Sequence, residues 1–104
     1  MNKKLLVIGA HSADFVWRSA GTIAKAIEEG AETLVVCMSY GERGESGELW
    51  KENPQRSVDN VKEIRHEQAQ KAADILGTPI QFLEWGDTPK LITDERITQI
   101  TNNI

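Results

Sequence analysis

Residues 5–22 read Leu-Leu-Val-Ile-Gly-Ala-His-Ser-Ala-Asp-Phe-Val-Trp-Arg-Ser-Ala-Gly-Thr, and the reading of this stretch decides the fold. It opens on a continuously apolar run, as a strand buried on both faces requires. From Val16 the period changes. Val16, Ala20, Ile23, Ala24 and Ile27 recur at helical spacing, and Gly30 supplies a stop. A strand that runs straight into a helix is the start of a βαβ unit. His11 and Asp14 lie between the two, at the carboxyl end of the strand, where open α/β sheets place ligands. Imidazole and carboxylate are ligand types that zinc accepts. From spacing alone, however, Asp14 reads as the helix N-cap and His11 as an ordinary turn residue, because Asp is a preferred cap.

Working outward, the alternation continues. Residues 33–38 (Thr-Leu-Val-Val-Cys-Met) form a second buried-strand pattern, followed by a polar, glycine-containing loop from Ser39 to about Arg56. Ser57 can cap a helix with apolar positions Val61, Ile64, Ala69, Ala72 and Leu76, closed by Gly77. Residues 79–84 make a third, shorter strand, with Asp87 and Pro89 in its exit loop. Thr93 caps a last helix with Asp94 and Glu95 in its first turn and a stripe of Ile97, Ile100 and Ile104. The order β-α-β-α-β-α is the first half of a doubly wound parallel sheet. The expected architecture is therefore α/β, a Rossmann-like three-layer α/β/α arrangement, with residues 1–104 as the N-terminal part of a larger domain.

Bulk properties narrow the function. The chain has 104 residues, 39% hydrophobic and 27% charged, with net charge -4 and no basic run. Nucleic acid and anionic membrane surfaces are poor partners for such a chain. No apolar stretch approaches a membrane span, and Lys3-Lys4 lead into a strand without a signal-peptide pattern. The single cysteine excludes an internal disulfide framework and fits a reducing cytoplasm. Cys37 itself reads as strand packing.

The first strand-helix turn lacks Gly-x-Gly-x-x-Gly and any P-loop lysine, so dinucleotide and nucleotide-phosphate binding lose their main support. The loop Gly41-Glu42-Arg43-Gly44-Glu45 emerges on the same sheet edge as His11, and its glycines can bring Glu42 or Glu45 toward it. On composition alone it is also an ordinary solvated acidic loop. Arg65 could hold a carboxylate bidentately, or form a surface ion pair with its neighbours. Asp87 lies at the same edge, but Gly86-Asp87 is also simple turn chemistry. His66 reads as exposed, Trp17 and Trp85 as core or pocket wall, and Trp50 as a lid residue.

Taken in order, these segments resemble the PIG-L/LmbE family of zinc-dependent enzymes. The matching residues are Ala10-His11-Ser12-Ala13-Asp14, Ala20-Gly21-Thr22, Gly41-Glu42-Arg43-Gly44-Glu45, and Arg65-His66-Glu67 leading to Leu76-Gly77. In the family's deacetylases the pattern is Ala-His-Pro-Asp-Asp: the His and second Asp bind zinc, and the first Asp is the general base. The resemblance thus implies zinc as cofactor, with His11 and Asp14 as ligands and a third ligand, a His, expected beyond residue 104. Two ligands alone imply weak or absent zinc binding by residues 1–104. Ala13 stands at the base position and Ser12 replaces the proline. This form is similar to the family's 4-oxalomesaconate hydratase branch, which hydrates a carbon-carbon double bond in an unsaturated oxo-tricarboxylate. The resemblance then implies Glu45 as the proton shuttle and a small-molecule carboxylate substrate. Arg18, Glu42, Arg43, Arg65 and Asp87 become the substrate-binding candidates, with the arginines as carboxylate clamps. N-deacetylation of an acetylated amino sugar or related amide is the alternative, and a non-catalytic α/β binding domain the second. An unfinished sheet edge and apolar helix faces lead to the expectation of a homo-oligomer.

Overall fold

The computed structural model describes residues 3–86 and 93–102. Asp87, Pro89 and Ile104 lie outside the described residues. The elements are β1 (Lys4–Gly9), α1 (Asp14–Glu28), β2 (Glu32–Cys37), α2 (Gly47–Glu52), α3 (Val58–Leu76), β3 (Ile80–Phe82) and α4 (Asp94–Thr101). The three strands form one parallel sheet with β2 in the middle. Val7 lies opposite Val35 and Gly9 opposite Cys37, while Val35 meets Ile80 and Cys37 meets Phe82.

Alternate residues of a strand share a face. Leu5, Val7, Val35, Cys37, Ile80 and Phe82 accordingly make one apolar surface, and both long helices pack on it. Phe15 and Ile23 of α1 and Ala69 and Ala73 of α3 are buried there. Two right-handed crossovers that step the same way across a sheet deliver their helices to the same face. The small side chains at 69 and 73 let α3 approach closely. Full burial of a side chain the size of Phe15 or Ile23 contributes roughly 1.5–3 kcal/mol. Two of the three expected layers are thus formed by the described residues.

The inward line of α1 runs through Phe15, Ile23 and Ile27. Val16 is 41% and Trp17 85% exposed. At 100° per residue these two side chains are turned off the sheet-facing line. Of the two readings of Trp17, core or pocket wall, the core is therefore excluded and the pocket wall stands, since Trp17 lines a cavity with Ser12, Ala13 and Arg65, while the place of Val16 in the buried stripe is corrected.

Asp14 is also not the cap. Ala13 holds the N-cap position in a helical conformation with no side-chain cap bond, and Asp14 is the first helical residue. Its Oδ2 accepts the backbone N–H of His11 at 3.0 Å. The later caps follow the expected chemistry. Ser57 Oγ accepts the N–H of Asn60 at 3.0 Å, and Thr93 Oγ1 accepts that of Arg96 at 3.1 Å. Gly77 closes α3 at φ 80°, a left-handed conformation that costs glycine little.

The 39–56 loop contains α2, which periodicity does not reveal in six residues. Its Trp50 indole donates to the Glu42 carbonyl at 2.8 Å, and Arg56 Nε donates to the Leu49 carbonyl at 3.1 Å. Trp50 thus braces its own loop. Among the described residues no helix is long and apolar enough to cross a membrane.

Candidate functional site

The site grows from the carboxyl ends of β1 and β2. Pairing continues past both strands: Met38 N–H donates to the Gly9 carbonyl at 2.9 Å and Ser39 N–H to that of Ala10 at 3.1 Å. Ser39 Oγ adds a second bond to the Ala10 carbonyl at 2.8 Å. The segment after β2 is therefore fixed beside the His11 turn. Gly41 then adopts φ +66°, and a Cβ on it would meet Glu45 Cβ at 2.6 Å and His11 Cβ at 3.4 Å. Only glycine permits this closure. Glu45 N–H and Ser46 Oγ both donate to the Gly41 carbonyl, at 3.0 and 2.8 Å, and lock the turn.

The consequence is a cluster around one imidazole. His11 Nδ1 lies 3.6 Å from Asp14 Oδ2 and 3.6 Å from Glu45 Oε1. Both separations exceed hydrogen-bond length. The Glu45 carboxylate thus comes up to His11 from the loop. Glu42 is turned inward at 2% exposure, and its Oε1 accepts the Tyr40 N–H at 3.3 Å. Glu42 therefore helps to hold the loop in shape.

The arginines are spread around this cluster. Arg65, half-buried on α3, donates from Nε to the Tyr40 carbonyl at 3.1 Å. It also lines a cavity of about 180 Å³ with Ser12, Ala13, Trp17 and Gln68. Arg18 is exposed and shares a smaller depression of about 140 Å³ with Asp14, along β1. Arg43 is exposed on the loop. Asp87 falls outside the described residues.

His66 is half-buried, not exposed as its charged neighbours led one to expect. Its ring packs on Phe82 with centroids 4.3 Å apart, and its Nδ1 lies 3.0 Å from Tyr40 Oη. Tyr40 (3% exposed) and Glu84 (φ 59°) complete a group that sequence reasoning passed over. The available signal was Tyr40's place between a buried strand and the Gly41 turn. Cys37 is buried, and burial first, then the charge of Asp14, pushes its thiol pKa up to about 12. It stays protonated and unreactive at neutral pH, in keeping with a packing role.

A protein-family description, PIG-L (GlcNAc-PI de-N-acetylase), matches residues 6–104. A 4-oxalmesaconate hydratase from Pseudomonas putida is 49% identical over 87 residues, covering 84% of this chain and 33% of that protein. The crystal structure of GalB, the 4-carboxy-2-hydroxymuconate hydratase of Pseudomonas putida, superposes with a TM-score of 0.92 at 42% identity, covering 97% of this chain and 42% of that one. An N,N'-diacetylchitobiose deacetylase from Pyrococcus horikoshii superposes with a TM-score of 0.84 at 29% identity, over 97% of this chain and 36% of its own. The chain thus spans about a third to two fifths of the length of these relatives. The strand-turn-helix that carries His11 and Asp14, the Gly41–Glu45 loop and α3 all fall inside the matched residues. The chain belongs to the PIG-L family.

Proposed function

We propose that this chain supplies the N-terminal part of a zinc-dependent hydratase. Its reaction adds water across the conjugated double bond of an unsaturated oxo-carboxylate such as 4-oxalomesaconate. Residue 13 carries the reading. A methyl group stands where an amide hydrolase of this family has its base, and the carboxylate that instead reaches His11 is that of Glu45, at 3.6 Å. The likeness to two hydratases supports the same choice.

The donor set suits zinc as far as it goes. His11 Nδ1 and Asp14 Oδ2 are 3.6 Å apart. Two ligands of a tetrahedral zinc with bonds of about 2.0–2.1 Å lie ~3.3 Å apart. Among the described residues no group of three His, Cys, Asp or Glu is placed to hold a metal ion, and a zinc site built on His11 and Asp14 would need at least one more protein ligand. Zinc bound there supplies Lewis acidity to a substrate oxygen. Glu45, with a half-exposed side chain, moves the proton: water gives its hydroxyl to one alkene carbon, and the proton goes to the other. Arg65, Arg43 and Arg18 hold substrate carboxylates, Arg65 with its fork pre-oriented by the Tyr40 carbonyl. A single, free cysteine suits a reducing cytoplasm. The exposed Trp17 and Val16 support self-association.

The test is the ultraviolet absorbance of the conjugated substrate, incubated with the intact protein. The absorbance is expected to fall with zinc present and to persist after chelation. Acetate release from an N-acetylated amino sugar, with the conjugated acid untouched, would establish the deacetylase reading instead. A protein that takes up no zinc and turns over neither compound would establish a binding domain.

A further inference from the structure

The mechanism above makes no use of the Tyr40 side chain, yet Tyr40 joins the exit loops of all three strands. Its carbonyl accepts Ser12 Oγ at 3.0 Å, next to His11, and Arg65 Nε at 3.1 Å. Its hydroxyl donates to Glu84 Oε1 at 2.8 Å and lies 3.0 Å from His66 Nδ1. A phenol has one proton to give. With that proton directed to Glu84, a lone pair of the hydroxyl faces His66, so Nδ1 of His66 carries a hydrogen and donates it. The chain of bonds runs from imidazole N–H to phenol oxygen to carboxylate, each link polarising the next. Phe82 packs against both rings, with centroids 5.2 Å from Tyr40 and 4.3 Å from His66.

Two features show that this arrangement is held firmly. Glu84 sits at φ 59°, a conformation unusual for a residue with a side chain, and the Tyr40 hydroxyl fastens its carboxylate there. Tyr40 is 3% exposed, so its hydroxyl needs these partners. Burial, then the Glu84 bond and charge, raise the phenol pKa well above its ordinary value, and it remains a donor.

Gly41 follows Tyr40 directly, and Gly41 is the turn that places Glu45 beside His11. We propose that Tyr40 is a positioning residue for the hydration step: His66 and Glu84 lock its ring, and the locked residue sets the turn that brings Glu45 to His11. The proposal rests on the reading of Glu45 as proton carrier. A catalytic group must be held to within about 0.5 Å of its working position. A misplacement of 1 Å can lower the rate by roughly 10²-fold.

The experiment is steady-state kinetics on the intact, zinc-loaded protein with Tyr40→Phe, His66→Asn, His66→Leu and Glu45→Gln. Tyr40→Phe keeps the ring and removes the lock, and kcat is expected to fall about tenfold or more while KM stays within about twofold. His66→Asn places an amide N–H where Nδ1–H stands and should retain most of the parental kcat. His66→Leu should fall as Tyr40→Phe does. Parental kcat in Tyr40→Phe or His66→Leu, or a loss confined to KM, overturns the proposal. If thermal melting shows that Tyr40→Phe does not fold, the His66 pair decides: equal activities of Asn and Leu overturn it. An inactive Glu45→Gln beside a fully active Tyr40→Phe defeats the positioning role alone. A fully active Glu45→Gln defeats the reading of Glu45, and the proposal with it.

Discussion

Glu45→Gln is expected to lower kcat by roughly 10²–10⁴-fold, the usual contribution of a positioned acid-base group. Glutamine has nearly the same shape as glutamate and can keep the backbone of the turn unchanged, since the Glu45 N–H bond to the Gly41 carbonyl is a main-chain contact. What it loses is the ability to take a proton. KM is therefore expected to move by less than about threefold, because a proton carrier acts in the transition state more than in binding. Zinc affinity should also hold, since His11 and Asp14 are untouched. Parallel measurement of kcat, KM and bound zinc checks all three expectations. A kcat within about threefold of the parent would remove Glu45 from the proton-transfer role, because no acid-base catalyst contributes so little.

Phe15→Ala is expected to destabilise the fold by about 3–5 kcal/mol, the range for truncating a buried phenylalanine. Phe15 is 1% exposed and sits in the central cluster with Val35, Cys37 and Ala73. Trp17→Ala, two residues on, removes a larger ring, yet the expected change is within about 0.5 kcal/mol because that ring is 85% exposed. Urea midpoints of the two variants compare them directly. The contrast matters for the site, because Asp14 directly precedes Phe15 and takes its position from the anchored first turn of α1. A loss below about 1 kcal/mol in Phe15→Ala would place the core elsewhere.

The sequence made the βαβ order legible because three apolar runs and two capped helices announce themselves. Ser57 and Gly77 delimit α3 to within a residue. The faces of α1 were harder to read. Phe15, Val16 and Trp17 are all apolar, so three adjacent side chains compete for one inward position, and only packing on Val35 and Cys37 selects Phe15. The short α2 escapes because Gly-Glu-Leu-Trp-Lys-Glu has too few turns to show a stripe, and its order comes from the Trp50 and Arg56 bonds to carbonyls. In the site, spacing alone favours Asp14 as a helix cap, and it is the resemblance to the PIG-L/LmbE family that pairs it with His11. The approach of Glu45 to His11 depends on a left-handed Gly41 and on bonds from Ser39 to Ala10, which no local pattern encodes. His66 was misplaced because its charged neighbours in sequence point elsewhere. Its own face of α3 meets Phe82 and Tyr40.

The start of α1 has a consequence for how this scaffold can change its chemistry. Ala13 already takes a helical conformation, and its side chain makes no cap bond. What the helix asks of this residue comes from its backbone, whose carbonyl accepts the N–H groups of Val16 and Trp17 at 3.1 and 3.2 Å. Ala13 also lines a cavity of about 180 Å³. Alanine and aspartate differ by no more than about 0.7 kcal/mol in helix propensity. Residue 13 is thus nearly silent to folding. A lineage carrying this turn can therefore vary residue 13 without first gaining stability elsewhere.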